Sequence, residues 1–331
     1  MKVNEIRPDI VMAGQQQAMH EDIAWLAARA KDFVEVACPA CAADDAVPLY
    51  EKYGMQHRSC RSCGTQYVSP RPTAEMLGAF YAQSSNYRYW AKNVFPASRE
   101  SRRQSIFRPR ADIVAQALQR HGLRGGCLVE VGAAHGLFCE EMRKHDIFDQ
   151  IVAVEPTPDL AEECRALGFE TIEAPWEKVA LKRAAQVIAT FEVIEHLFDP
   201  GAFLRWCSEN LVAGGHLLLT CPNIAGFETM LLGRESGAVD HEHLNLFNPA
   251  GLGRLIEASG LTLVECSTPG ELDVELVQRA IQAGECDPAG LDRVWRALLE
   301  SPAPGVAPDL QALLKKAGLS SNMMILARKA A

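Results

Sequence analysis

Two pairs of cysteines and three groups of acids, glycines and histidines carry the chemistry legible in this chain. Cys38-Pro39-Ala40-Cys41 and Cys60-Arg61-Ser62-Cys63 are Cys-x2-Cys knuckles separated by eighteen residues. Each puts two thiolates on one tight turn, and two such turns make a tetrahedral four-sulfur site. Gly64 supplies the left-handed residue such turns often need. Four protein ligands leave no open coordination position, so a Zn2+ held by Cys38, Cys41, Cys60 and Cys63 is expected to be structural. Redox chemistry by the same pairs is the alternative, and two knuckles at ribbon spacing fit a metal better. Further along, Leu128-Val129-Glu130-Val131 runs into Gly132-Ala133-Ala134-His135-Gly136 and then a new apolar pattern. That is a strand turning sharply into a helix, with backbone bare enough for a ligand to lie against it. Nineteen residues after Gly136, the apolar run Ile151-Val152-Ala153-Val154 ends in Glu155. An acid at such a strand tip suits a ribose diol, because two hydroxyls can donate to one carboxylate. The third group is Asp240-His241-Glu242-His243, two imidazoles between two acids. Histidine is the side chain best matched to moving a proton near neutral pH.

These residues need elements to hold them. Strand patterns fall at 127–132, 151–155, 169–173, 185–190, 215–220 and 261–267, with helical patterns between. Thr157-Pro158, Asp199-Pro200 and Asn248-Pro249 each announce a helix. A polar side chain caps the first turn, and proline sits where no donor is needed. Repeated strand–helix alternation predicts an α/β fold, a parallel sheet with helices on both faces. Residues 11–36 read as a helix, 37–72 as a cysteine-bearing module of short apolar pieces and turns, and 73–120 as helix again. Residues 271–318 are helical in pattern, broken at Ser301-Pro302-Ala303-Pro304-Gly305, and 322–327 read as a last strand.

Composition narrows the partners. The chain has 331 residues, 48% of them hydrophobic and 23% charged, which allows a large core and does not indicate disorder. A net charge of −9 disfavours bulk binding to nucleic acid. No apolar run reaches the length of a membrane span, and the N-terminus has no signal-peptide pattern. Eleven cysteines without export signals fit a reducing, cytoplasmic location. Seven of them, Cys127, Cys139, Cys164, Cys207, Cys221, Cys266 and Cys286, read mostly as small buried hydrophobes.

The glycine turn separates two classes of nucleoside cofactor. Nicotinamide enzymes want Gly-x-Gly-x-x-Gly, so that a pyrophosphate can approach the backbone. Here only Gly132 and Gly136 stand, and Glu130 precedes them. That carboxylate would repel a pyrophosphate and suits a cation. S-adenosylmethionine (SAM) is such a ligand, carrying a sulfonium, an ammonium and no phosphate. At this point the chain resembles the class I SAM-dependent methyltransferases. Their acid-x-Gly-x-Gly-x-Gly motif stands here as Glu130-x-Gly132-x-Ala134-x-Gly136, with alanine for the middle glycine. Glu155 matches the ribose acid, Thr190–Leu197 the segment after the fourth strand, and Gly214–Asn223 the fifth strand. The resemblance covers roughly residues 110–331. It implies a seven-stranded Rossmann-like sheet with a reversed last strand. It also implies cofactor contacts by Glu130, Gly132, Ala134, Gly136, Glu155, Phe191 and Glu192. His196, in the family, usually supports the helix and the local loop.

A zinc ribbon ahead of such a domain, followed by Ser69-Pro70-Arg71-Pro72 and a tyrosine-rich helix, resembles the sugar C-methyltransferases of deoxysugar pathways and their shorter relatives. The division implied is a helical arm (1–36), a zinc ribbon (37–72), a helical linker or substrate cap (73–120) and a SAM-binding domain (121–331) with its insertion at 271–318. In the resembling sugar enzymes a Glu-His pair in the late loop abstracts the proton, and Glu242-His243 matches it. A tyrosine two positions before that Glu is Asp240 here. His241 is the second candidate base. The alternative is that these histidines cap the loop; together, His241 and His243 could also bind a metal.

Between Ser98 and Arg110 stand five arginines and one acid, a net +4. They form either a solvated face pairing with the acidic remainder or an anion site near Tyr87, Tyr89 and Trp90. The expected activity is SAM-dependent methyl transfer to a small-molecule acceptor, a sugar, nucleotide-sugar or natural-product intermediate, with or without a phosphate. An RNA base methyltransferase with a zinc-binding recognition module is the alternative, against which the acidic balance counts. A binding protein that lost its cofactor is the third, and the intact Glu130, Gly132, Gly136 and Glu155 oppose it.

Overall fold

A computed structural model describes residues 2–331, the side chain of Ala13 excepted. Seven strands form the central sheet: β4 (Cys127–Val131), β5 (Gln150–Val154), β6 (Glu170–Ile172), β7 (Ala185–Phe191), β8 (Leu211–Pro222), β10 (Leu261–Ser267) and β11 (Asn322–Lys329). Their order is β10-β11-β8-β7-β4-β5-β6. β6, β5, β4, β7 and β8 are parallel, and β11 runs antiparallel to both β8 and β10. Both faces are covered, which is why these strands read as continuous apolar runs. Val129, Ile188, Leu217 and Ile325 point into one layer of core, and Leu128, Val187, Leu218 and Leu326 into the other.

A second sheet is built from β1 (Ala46–Lys52), β2 (Met55–Cys60), β3 (Gln66–Val68) and β9 (Asn245–Leu246). The first three are the cysteine module. The fourth comes from the far end of the chain, directly after the histidine loop, and pairs Gln66 with Leu246 and Tyr67 with Asn245. Nothing in the sequence pattern of 37–72 announces this long-range pairing, because two residues carry no periodicity. The module also shares the main core: Cys38, Ala40, Cys60 and Tyr67 pack in the same layer as Val129 and Ile188.

Arg71 ties the second sheet to the loop that follows β7. It is 1% exposed. Its Nε donates to the Val68 carbonyl at 2.9 Å, Nη1 to Asn245 Oδ1 at 3.0 Å and the Phe198 carbonyl at 3.2 Å, and Nη2 to the Leu244 carbonyl at 3.3 Å. A buried cation is tolerable only when so completely hydrogen-bonded.

The cap consists of helices Ala74–Gln83, Ser85–Tyr89, Phe95–Arg102 and Arg108–Arg120, with π-turns at Trp90–Val94 and Arg103–Phe107. Each π-turn adds a residue to the helical repeat and shifts the face that follows. The insertion, helices Asp273–Ala283, Arg293–Leu299 and Val306–Lys316, forms its own apolar cluster with Phe227. The N-terminal arm reaches it through Val3 N–H donating to Glu275 Oε1 at 3.1 Å and Arg279 pairing with Asp9 at 2.8 Å.

Two local expectations are corrected. The helix expected over 11–36 spans Asp9–Ala27 and gives way to a 3-10 turn at Ala30–Asp32. There Arg29 folds back over the Trp25 ring at 3.7 Å. Asp199 and Asn248 cap their helices as expected, but the Thr157 side chain does not. Its N–H turns to Glu155 instead, at 2.9 Å. Among the described residues no helix is long and apolar enough to cross a membrane.

Candidate active site

Gly132, Ala134 and Gly136 follow β4 with φ of +80°, +46° and +68°. At Gly132 a side chain would also lie 2.7 Å from Val193 Cγ2, so the turn excludes any Cβ there. Ala134 holds the left-handed conformation without being glycine, at a cost of about 1 kcal/mol. Gly136 then starts the helix Leu137–Arg143.

Glu155, at the end of β5, knits this turn to its own. Its Oε2 accepts from Ala134 N–H at 2.8 Å and its Oε1 from Thr157 N–H at 2.9 Å. It is 5% exposed, and burial holds its pKa above the ordinary carboxylate value. Each oxygen keeps a second lone pair for a diol. Glu130 is also buried. Burial pushes its pKa up to about 8, against the Cys139 thiol that donates to Oε2 at 3.0 Å and the nearby Arg110. Phe191, at the end of β7, packs on Phe138 with centroids 4.5 Å apart, and Arg110 lies 4.5 Å over its ring. Glu192 has φ +55°. Its Oε1 accepts from Thr220 Oγ1 at 2.6 Å and Asn322 Nδ2 at 3.1 Å, and lies 3.8 Å from Arg110 Nη2. All seven expected cofactor residues thus stand at the C-terminal ends of three adjacent strands, β5, β4 and β7, or in the turns that follow, where ligands bind in open α/β sheets.

The histidine loop hangs between β8 and β9. Asp240 Oδ1 accepts from the N–H groups of Glu242 and His243, both at 2.8 Å, and so shapes the turn. His243 Nδ1 lies 2.8 Å from the Ala238 carbonyl. A carbonyl only accepts, so Nδ1 carries the hydrogen and Nε2 the lone pair. The His196 ring packs 4.6 Å from that of His243. Burial pulls the pKa of His196 down to about 4, so it stays neutral, and its Nδ1 meets the Tyr81 hydroxyl at 3.1 Å.

His241 has a different environment. It is 3% exposed, with Nε2 3.3 Å from Glu242 Oε1 and 3.9 Å from Asp22 Oδ2. Burial opposes its charge, but the two acids facing Nε2, neither in hydrogen-bonding geometry, outweigh that and push its pKa up to about 9. At neutral pH it already holds its proton, which disfavours it as the accepting group. Asp22 also accepts from Ser84 Oγ at 2.5 Å and the N–H groups of Ser85 and Asn86, and Asn86 Nδ2 donates to Glu242 at 2.9 Å. His241 and Glu242 therefore fasten the arm and cap to the loop beside His243. The two histidines belong to separate clusters, one with Asp22 and Glu242, the other with Glu195 and His196.

Residues from the cap and the arm close the site. The loop lacks a tyrosine, but Tyr81 and Tyr87 of the tyrosine-rich cap arrive there, with rings 5.3 Å apart. Asp22, which sequence reasoning did not single out, arrives from the arm; no local motif marks it, since its partners lie far along the chain. The arginine run mostly pairs with acids: Arg99 with Glu163, Arg103 with Glu140 and Glu141, Arg108 with Glu141 and Arg110 with Glu192. That is the charged-face reading for four of the five.

At the other end of the second sheet, Cys38, Cys41, Cys60 and Cys63 bring four sulfurs within 4.8 Å of one another. Cys38–Cys63 and Cys41–Cys60 are each 3.6 Å apart, and all four are free thiols. Sulfurs about 2.3 Å from a shared tetrahedral ion stand about 3.8 Å apart. The set fits such an ion with little movement.

Comparison with known proteins identifies the family. The methyltransferase domain family matches residues 100–266. A ubiquinone biosynthesis O-methyltransferase of Xanthomonas axonopodis is 27% identical over 173 residues, 48% of this chain and 70% of that protein. Its counterpart in Xylella fastidiosa strain M23 is 27% identical over 166 residues, 45% and 66% of the two chains. A solved 1,6-didemethyltoxoflavin N1-methyltransferase of Burkholderia thailandensis, bound to S-adenosylhomocysteine, has a TM-score of 0.47 at 14% identity, covering 86% and 99%. With the family spanning half of its length, the chain belongs to the methyltransferase domain family and is a SAM-dependent methyltransferase.

Proposed function

We propose that the chain transfers a methyl group from SAM to a small-molecule acceptor, a sugar, nucleotide-sugar or natural-product intermediate, with His243 as general base and a structural Zn2+ on Cys38, Cys41, Cys60 and Cys63. The observation that carries this is the His243 tautomer, fixed by Ala238 so that Nε2 is the accepting atom. Glu155 would hold the ribose of SAM, the backbone of Gly132, Ala134 and Gly136 would lie against it, and Phe191 would pack beside it. Glu192 and Arg110, an anion and a cation side by side, match the zwitterionic amino-acid end. Glu130 supplies negative charge beneath a cation. When bound, SAM supplies an electrophilic methyl on sulfur. The chain aligns the acceptor, excludes water with the aromatic cap, and takes the acceptor's proton on His243 Nε2. Glu242, His241 and Asp240 hold the loop that presents it. Tyr81 and Tyr87 offer aromatic rings of the kind sugars pack on. The pairing of four arginines with this chain's own acids leaves that helix few free cations for an RNA backbone.

His243→Ala is expected to lower kcat by about 10²–10⁴-fold, the usual worth of a positioned base, with SAM affinity within about threefold of wild type. Release of S-adenosylhomocysteine against a panel of nucleotide sugars and rRNA fragments reads this. Unchanged turnover would remove His243 from the mechanism, and turnover only on RNA would replace the acceptor class.

SAM affinity should also depend on pH through Glu130. With a pKa of about 8, Glu130 is mostly protonated at pH 7, and a cationic ligand favours its ionised form. Affinity therefore rises with pH through about 8 and levels off above, by at most about tenfold per unit below it. Calorimetry across pH 6–9 should show this slope in wild type and not in Glu130→Gln. The same slope in both would absolve Glu130.

A further inference from the structure

Two arginines are left over when the ion pairs are assigned. Arg102 belongs to the run at 98–110, and Arg7 comes from the arm. Among the described residues neither has a carboxylate within 4.0 Å, although every other arginine of the run does. Both guanidinium groups lie over one indole: Arg7 5.7 Å and Arg102 5.4 Å from the Trp90 centroid. Arg102 is also 4.7 Å over Phe95, and Phe95 packs 4.5 Å from His135, inside the cofactor turn. The pair therefore stands at the rim of the cofactor turn, between the cap and the arm.

The arrangement is costly as it stands. Arg102 Nε is buried with no partner. Burial, with the positive charges of Arg7 and Arg110, pulls the pKa of Arg102 down to about 10. Buried cations are normally paired, and like charges are not brought together without a counter-ion. Aromatic faces hold a guanidinium by its flat side and leave its edge donors free. Those edges form the fork that matches a phosphate. Arg7 keeps part of its side chain exposed, while burial lowers its guanidinium pKa and Asp240, Glu228 and Glu192 act on it only from beyond 4.0 Å.

We propose that Arg7 and Arg102, seated on Trp90 and Phe95, form an anion subsite that holds a phosphate group of the acceptor. The inference rests on the small-molecule reading above and deepens it: the acceptor is a phosphate ester or diphosphate, its reacting end toward His243 and its anionic end toward the arm. SAM has no phosphate, and Arg110 beside Glu192 already offers a cation to its carboxylate. Two further guanidiniums match a dianion.

The test uses the full chain at near-physiological salt. Inorganic pyrophosphate, succinate and SAM are titrated calorimetrically into wild type, Arg7→Ala and Arg102→Met. Arg7 sits on an exposed arm, so Arg7→Ala keeps the result interpretable if Arg102→Met fails to fold. The expected result is pyrophosphate binding to wild type that weakens at least tenfold in each folded variant, with SAM affinity within threefold. No pyrophosphate binding to wild type, or equal binding to wild type and Arg7→Ala, overturns the subsite. Succinate binding as well as pyrophosphate overturns the phosphate assignment. SAM affinity falling in the variants while pyrophosphate is unaffected assigns the pair to the cofactor and overturns it too. Failure of wild type to bind SAM would instead sink the cofactor reading and is read separately from the pyrophosphate result.

Discussion

Glu155→Ala should cost SAM at least about 10²-fold in affinity. The carboxylate would accept two ribose hydroxyls, and a hydrogen bond to a charged acceptor is worth about 1.5–3 kcal/mol. Two of them amount to roughly 10²–10⁴-fold in Kd. The substitution also releases the N–H groups of Ala134 and Thr157, both now held by Glu155. Glu155→Gln separates the effects. Its amide oxygen can still accept from one N–H, so it keeps more of the turn than alanine does and loses the charge. The expected order of SAM affinity, by calorimetry, is wild type, then Gln, then Ala, with thermal stability of the ligand-free protein nearly unchanged in Gln. Equal SAM affinity in all three would show that the acid serves the turn and not the cofactor.

Loss of metal should have the second large effect, and it should reach the chemistry. Structural zinc in small tetrathiolate modules carries about 10–16 kcal/mol of apparent binding free energy, so Cys60→Ser or strong chelation should unfold β1–β3. In this chain the damage would not stop at the module. β3 pairs with β9, Val68 N–H donates to the Leu244 carbonyl at 3.0 Å, and Arg71 binds Leu244 and Asn245. Asn248 Nδ2 donates to the Cys63 carbonyl at 2.8 Å, inside the second knuckle. These contacts hold the residues just after His243. Turnover should therefore fall more than SAM affinity, because the cofactor residues sit on the other sheet. Metal analysis should find about one zinc per chain. A metal-free chain with unchanged melting and unchanged turnover would refute the role of the cluster.

The four-cysteine module thus serves the histidine loop. A two-residue strand such as β9 cannot persist alone, and it borrows its ladder from a module whose own strands are short. The proposed metal would compensate for that module's small core.

Much of the fold was legible in the residues. The strands from Cys127 to Ser267 alternate with helices whose starts are marked by proline and a capping residue, and such signals are local. The glycine turn was legible for the same reason: positive φ and close approach leave a mark on residue type at the position itself. So were the four cysteines, because Cys-x2-Cys is a property of one turn. Thr157 misled because a hydroxyl next to proline reads as a cap, while here the Thr157 backbone is held by Glu155 and its side chain caps nothing.

What stayed hidden depends on residues distant in sequence. The surroundings of His241 and His243 were set by Asp22, more than two hundred residues away, and by a carbonyl at Ala238. Their neighbours in the chain are nearly alike. The charge of an imidazole depends on what lies within a few ångströms of it, and that is set by packing. Likewise the five arginines looked equivalent as a run, and only the fold gave four of them a carboxylate and left Arg102 on an indole with Arg7. The sequence by itself determined the sheet, the cofactor turn and the four-sulfur cluster, because each is built from short-range spacing. The tertiary structure alone decided how the two histidines differ in environment, that the cysteine module braces their loop, and where an unpaired positive charge remains. Those depend on contacts between segments whose meeting no local pattern encodes.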